Sequence, residues 1–246
     1  MTGRRRSIAE DSLRLVARMI PPPRFEGLRA VPPREPFLLV ANHFQAPDLW
    51  VGWVAAAISA AVASVREPGS RDLHWLVLSQ WRWFELGDIW VPNPLSALLF
   101  PRACAVWGLI PTPPRPSDLL GRATALRRVL EYLGYRQPPG APRAAVGLFP
   151  EGRASTALVE AKPGSGAFLH RVSTAGIPLL PAGAYLDERT LVVRFGEPFS
   201  LEGAPAENLD TWARTKVMVS IGRLLPRDLW GAYYEATEEG VGGPSG

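Results

Sequence analysis

The sequence has few of the residues that form disulfides or bind metals. Cys104 is its single cysteine, so no intrachain disulfide can form and a reducing compartment is the default expectation. The three histidines, His43, His74 and His170, are far apart in the chain and belong to no cluster with zinc-ligand spacing. We therefore predict neither a disulfide framework nor a metal site.

Long apolar runs are also scarce. The basic residues 1–6 are followed over residues 7–20 by alternating charged and apolar residues, which predicts an amphipathic helix and no signal peptide. The longest uncharged run, residues 49–65, is at the lower limit for a membrane span, and six of its 17 residues are alanine. We interpret this run as a buried helix of the domain, with a membrane span as the alternative.

Lysine is scarce, whereas arginine is abundant. Only Lys162 and Lys216 are lysines among the 27 basic residues, and the 23 acidic residues leave a formal net charge of +4. A positive charge suits nucleic acid, a membrane surface or a phosphorylated substrate, but a GC-rich genome explains the arginine bias equally well. Since no nucleic-acid-binding motif accompanies the charge, we predict no nucleic-acid partner.

Strand-like and helix-like patterns alternate along a chain whose 246 residues suit one domain. The predicted strands are residues 37–40, 73–78, 144–149, 177–185 and 190–195, and the predicted later helices are 118–135, 162–173 and 207–225. This order predicts an α/β fold, a single domain with a mostly parallel central sheet flanked by helices on both faces. We divide the chain into an N-terminal basic and amphipathic helix with a proline-rich linker (1–35), the domain (36–230) and a disordered tail (231–246).

A histidine and an aspartate five positions apart mark the junction of a predicted strand and helix. The strand ends at His43, and Pro47 suits the first turn of a helix, with Asp48 beside it. In this arrangement the Asp48 carboxylate would hold one imidazole nitrogen, leaving the other to take a proton from a substrate hydroxyl. A capped loop without catalytic function is the alternative interpretation.

Three later segments favour the catalytic interpretation. They are Gly-Leu-Ile-Pro at 108–111 leading to Arg115, Phe-Pro-Glu-Gly-Arg-Ala-Ser at 149–155, and the segment 175–181 with two prolines around a hydrophobic pair. Together with His43 and Asp48, their order resembles the glycerolipid acyltransferase family, which includes bacterial lysophosphatidate acyltransferase, over residues 36–199. Two departures stand out: Arg153 lies one position early in its block, and prolines interrupt the block around Arg115.

The resemblance implies an O-acyltransferase of phospholipid biosynthesis. It would transfer a fatty acyl group from a co-substrate, acyl-CoA or acyl carrier protein, to the hydroxyl of a lysophospholipid. The acceptor that this resemblance favours is 1-acylglycerol-3-phosphate. No other cofactor is expected. His43 would be the general base and Asp48 its orienting group. The implied substrate-binding residues are Arg115, Glu151, Gly152 and Arg153. Arg153 is the first choice for the acceptor phosphate because a guanidinium binds phosphate through two parallel hydrogen bonds, and Glu151 would organise the loop or meet a glycerol hydroxyl.

The expected partners are the lysophospholipid, the acyl thioester and a membrane surface, with the protein peripheral at the cytoplasmic face. The apolar segment 95–109 is a candidate wall for an acyl chain or a contact with the bilayer. No Gly-x-Ser-x-Gly elbow is present, which fits a reaction whose nucleophile comes from the substrate. The alternatives are an acyltransferase for another polar-lipid acceptor and a non-catalytic, membrane-associated lipid-binding protein.

Overall fold

The computed structural model describes residues 5–79, 82–86, 89–92, 94–113, 118–135, 144–203, 205 and 207–242. Arg115, predicted to bind substrate, lies outside these ranges. The helices are α1 Ile8–Val16, α2 Val51–Val65, α3 Pro94–Trp107, α4 Leu119–Tyr132, α5 Ser165–Ser173, α6 Leu209–Gly222 and α7 Tyr234–Gly242. The strands are β1 Arg24–Glu26, β2 Leu38–Ala41, β3 Leu73–Leu78, β4 Arg82–Leu86, β5 Ile89–Pro92, β6 Ile110–Thr112, β7 Ala145–Leu148, β8 Leu179–Asp187 and β9 Thr190–Phe195.

Seven strands form one twisted layer in the described part of the chain, in the order β1-β9-β8-β2-β7-β3-β6. Neighbouring strands in this sheet are parallel except β8 and β9, which pair antiparallel. The strands β4 and β5 form a separate antiparallel hairpin. The predicted α/β class with a mostly parallel central sheet is confirmed.

The central strand β2 explains why helices cover both faces of the sheet. All four of its residues are buried, as expected for a continuous apolar strand inside a parallel sheet. Leu38 and Val40 pack in one core with residues of α5 and α6, whereas Leu39 and Ala41 pack in the other with residues of α2. Successive side chains therefore enter opposite cores, each covered by helices.

The predicted buried helix at residues 49–65 is confirmed as α2. Eight of its 15 residues are buried, and its small side chains allow close packing between the sheet and α1. The α1 helix is shorter than the predicted 7–20 and begins after Ser7, whose side chain accepts a hydrogen bond from the Glu10 N–H. Within the described ranges, no helix combines the length and the apolar character needed to cross a bilayer.

Both ends of the predicted domain need correction. Residues 24–26, assigned to the segment before the domain, form β1, which pairs with β9 at the edge of the sheet. Of the tail 231–246, predicted to be disordered, residues 231–233 form a 3₁₀ turn and Tyr234–Gly242 form α7, whereas residues 243–246 lie outside the described ranges. Buried side chains fix this tail: the Tyr233 hydroxyl accepts a hydrogen bond from the Ala161 N–H at 3.0 Å, and Thr237 is fully buried.

Candidate active site

Two loops at the carboxyl edge of the sheet bring His43 and Glu151 together. They follow the adjacent strands β2 and β7. The His43 N–H donates a hydrogen bond to Glu151 Oε2 at 2.5 Å, and the Val159 N–H donates to Oε1 at 2.9 Å. The Ser155 N–H donates to the His43 carbonyl at 2.9 Å. Functional loops of parallel α/β sheets gather at the carboxyl ends of the strands, and these two residues meet at that edge.

An aromatic stack fixes the plane of the His43 imidazole. The ring stacks on Phe149 with centroids 4.5 Å apart and planes inclined by 7°, and Phe149 stacks in turn on Trp75 at 4.6 Å. Trp75 Nε1 donates a hydrogen bond to Ser59 Oγ of α2 at 2.9 Å. This role of Phe149 and Trp75 was not predicted from the sequence. The position of Phe149 at the start of the 149–155 segment is the one feature of the sequence that could have indicated it.

The His43 imidazole is held in its neutral form. Burial lowers its pKa to about 4, the positive charge of Lys162 also lowers it, and the backbone of Arg153 acts in the opposite direction. A neutral imidazole can accept a proton, as a general base must. Its Nδ1 is buried and has no hydrogen-bond partner among the described residues, an arrangement that costs about 1–3 kcal/mol.

The shifted pKa of His43 predicts a pH dependence of stability. The unfolded chain takes up a proton near pH 6.5, whereas the folded protein takes it up only near the pKa of about 4. The folded state therefore loses stability as pH falls through that window and keeps it above 6.5. We expect the His43 ring signal in NMR to titrate with a midpoint near 4, and His43→Gln to lose less stability than the parent on acidification in urea unfolding. A midpoint at or above 6.5 contradicts the burial of this ring.

The predicted contact between Asp48 and His43 is absent from this structure. Asp48 is exposed, and it makes no hydrogen bond to the imidazole, whose Nδ1 has no hydrogen-bond partner within the described ranges. The helix begins at Val51, not near Pro47 as predicted. Reciprocal backbone hydrogen bonds between Ala46 and Leu49, of 3.1 and 3.0 Å, close a tight turn with Pro47 and Asp48 at its tip. Proline suits such a turn as well as it suits a first helical turn.

Glu151 contacts the backbone of its own site. Its carboxylate is only 1% exposed, accepts the two N–H groups described above and does not line the adjoining cavity. Burial raises its pKa to about 7, while the hydrogen bonds from His43 and Val159 lower it. Glu151 was predicted either to organise its loop or to meet a glycerol hydroxyl. The two backbone hydrogen bonds favour the first role.

A cavity of about 1110 Å³ opens beside His43. It lies at the carboxyl edge of the sheet, and residues of helices α1 to α5 line it. Its walls are mainly apolar and include Ala55, Trp75, Val77, Phe100, Trp107 and Phe168. The predicted apolar segment 95–109 contributes Phe100, Trp107 and Leu109 to this wall. The volume is at the upper end of ordinary ligand sites, so the cavity has room for a large apolar ligand.

No protein-family model matches the sequence, and a comparison with curated proteins finds no match. Among solved structures, the chain is similar to the 1-acyl-sn-glycerophosphate (LPA) acyltransferase PlsC from Thermotoga maritima. The two are 18% identical, the match covers 97% of this chain and 80% of that chain, and the TM-score is 0.47. A likeness at this level carries no argument about function, which rests on the residues of the site.

Of the remaining predicted residues, one lines the cavity and one does not. Gly152 lines it, whereas the Arg153 side chain is exposed and is not part of its wall. Lys162 and Arg122 line it instead. Arg122 lies in the predicted helix 118–135, where the sequence pattern alone gave it no functional role. Among the described residues, no group of three or more histidine, cysteine or acidic side chains is placed to hold a metal ion.

Proposed function

We propose that this protein is an O-acyltransferase that transfers a fatty acyl group from a thioester to the hydroxyl of a lysophospholipid. The observation that carries the proposal is a partly buried, neutral imidazole at the edge of a large, mainly apolar cavity. The imidazole suits proton removal from a hydroxyl, and the cavity suits an acyl chain. The order of the motifs around His43, Asp48 and 149–155 adds support from the sequence alone.

In the proposed reaction, His43 takes the proton of the acceptor hydroxyl as its oxygen attacks the thioester carbonyl carbon. The tetrahedral intermediate then collapses with cleavage of the carbon–sulfur bond. The imidazolium returns the proton to the departing thiolate, so that the products are an ester and a free thiol. The protein forms no covalent bond with the acyl group, because the acceptor supplies the nucleophile. General-base assistance of this kind contributes about 10²- to 10⁴-fold.

Asp48 is the proposed partner of His43 Nδ1 during the reaction. An imidazolium has two N–H donors, and its Nδ1 is buried without an acceptor in the described structure. The Asp48 carboxylate lies at the exposed tip of a turn that directly follows His43 in the chain. An inward movement of this turn on substrate binding would bring the carboxylate to Nδ1 and stabilise the charged ring.

The proposed acceptor is 1-acylglycerol-3-phosphate, and the proposed donor is acyl-CoA or acyl carrier protein. The test is an acceptor screen with one isotope-labelled acyl-CoA, read by lipid mass spectrometry. We expect the label in a diacyl phospholipid. Label in the ester of another polar lipid would select the alternative acceptor class. Binding of acceptors without any labelled ester would overturn the proposal in favour of a non-catalytic lipid-binding protein.

Peripheral contact with a membrane is proposed through the α3 helix. Its Leu95, Leu98 and Leu99 side chains are 63%, 55% and 51% exposed, and the same helix contributes Phe100 to the cavity wall. Trp50, which also lines the cavity, is 60% exposed. Apolar side chains around the cavity would enter the interfacial region of a bilayer and let a lysolipid pass into the cavity.

The membrane proposal predicts that replacing both Leu98 and Leu99 by serine weakens binding to sedimented anionic phospholipid vesicles by about tenfold or more, because even partial insertion of two leucine side chains contributes more than about 1.4 kcal/mol. Circular dichroism would establish that the variant is folded. Unchanged partitioning into the vesicle pellet would contradict a role of α3 in membrane contact.

A further inference from the structure

Two glycines at the cavity make room for two cationic side chains. Gly152 and Gly164 have positive φ angles of 60° and 85°, a conformation that other residues rarely adopt. A Cβ atom added at Gly152 would lie 2.5 Å from Lys162 Cε and 3.0 Å from Lys162 Nζ. One added at Gly164 would lie 2.6 Å from Arg122 Nη2. Lys162 and Arg122 therefore lie directly against the backbone of these glycines.

Lys162 and Arg122 reach the cavity from separate elements that are themselves anchored. The Lys162 N–H donates to the Pro150 carbonyl at 2.9 Å, which ties the lysine to the loop that carries Glu151. The Gly164 N–H donates to Asp210 Oδ2 at 3.0 Å, which fixes the turn beside Arg122. Arg122 itself projects from α4, and both side chains line the same cavity as His43.

We infer that Lys162 and Arg122 form an anion site that holds a phosphate group of a substrate beside His43. The inference rests on the proposed acyl transfer and assigns the phosphate to residues other than Arg153, whose side chain is exposed outside the cavity wall. A lysine point charge and a planar guanidinium from two directions suit a tetrahedral phosphate. Both a phosphorylated acceptor and coenzyme A carry such groups.

Calorimetric titration tests the site without requiring turnover. The probes are a short-chain 1-acylglycerol-3-phosphate against the matching 1-acylglycerol, and coenzyme A against pantetheine. We expect Lys162→Gln and Arg122→Gln each to weaken binding of a phosphorylated probe by about tenfold and to leave its unphosphorylated partner unchanged. Arg127→Gln is the matched control, because Arg127 is exposed on the same helix and pairs with Glu131 outside the cavity.

The pattern of losses identifies the source of the phosphate. A loss confined to the acylglycerol pair assigns the site to the acceptor, and a loss confined to the coenzyme A pair assigns it to the donor. Gly152→Ala keeps the charge of Lys162 but displaces its side chain, so it should reproduce the loss seen in Lys162→Gln, with circular dichroism as a check on folding.

Three outcomes would overturn the anion site. They are unchanged binding in both glutamine variants, equal weakening for phosphorylated and unphosphorylated probes, and a loss that appears in Arg153→Gln but not in Lys162→Gln or Arg122→Gln. Selective binding of phosphorylated probes by a protein that forms no ester would uphold the site while rejecting the acyltransferase.

Discussion

His43→Ala is expected to reduce kcat/KM for acyl transfer by about 10²- to 10⁴-fold, the usual contribution of a general base. The physical reason is that the alanine side chain cannot take the proton of the acceptor hydroxyl, while the rest of the cavity is retained. The measurement is steady-state release of free thiol from acyl-CoA in the presence of the acceptor. Because the imidazole stacks on Phe149, unfolding in urea must be measured alongside.

His170→Ala is the matched control for the His43 variant. His170 lies in the last turn of α5 and does not line the cavity, so its loss should leave turnover unchanged. Full turnover in His43→Ala would exclude the proposed base. A decrease that parallels the fraction of unfolded protein would show that the ring has only a structural role.

Glu151→Gln is expected to lower both stability and turnover. The glutamine amide offers one acceptor oxygen where the carboxylate offers two, so either the His43 N–H or the Val159 N–H would face an NH₂ group. A buried donor without an acceptor costs about 1–3 kcal/mol, which urea unfolding would detect. Displacement of the His43 backbone would lower kcat by about 10²-fold, since catalytic groups tolerate little misplacement.

The alternative role for Glu151 predicts a different result. If its carboxylate met a glycerol hydroxyl, Glu151→Gln would raise the acceptor KM and leave the free energy of unfolding unchanged. Glu160→Gln removes an exposed carboxylate from the same loop, so it controls for the loss of charge. A Glu151→Gln variant as stable and as active as the parent would contradict both roles.

The features predictable from the sequence were those set by local pattern. The strand predicted at 73–78 is β3, and the one at 190–195 is β9, because apolar runs bounded by turn residues depend little on distant contacts. The α2 helix was predictable for the same reason. The small residues of its uncharged run suit close packing more than membrane insertion.

The features that the sequence could not supply depend on contacts between distant residues. Glu151 Oε2 accepts a hydrogen bond from the His43 N–H, 108 positions away. Because the donor is a backbone group, the residue types do not reveal it. The residues of α7 were predicted to be disordered, yet Tyr233 and Thr237 anchor this helix in the core. The sequence around Pro47 suits both a tight turn and the first turn of a helix. The loop before Pro47 pairs with Ser155, a contact outside the reach of local pattern.

Removal of the acceptor's hydroxyl proton by His43 can be tested with an acceptor whose hydroxyl is replaced by a thiol. A thiol ionises near neutral pH without a base, with a pKa of about 8.5. Mass spectrometry of the acylated product would be compared for the parent and His43→Ala with both acceptors. If His43 is the base, the ratio of parent to variant rates is expected to fall by about tenfold or more when the thiol replaces the hydroxyl. An equal loss with both acceptors would contradict the assignment of His43 as the base.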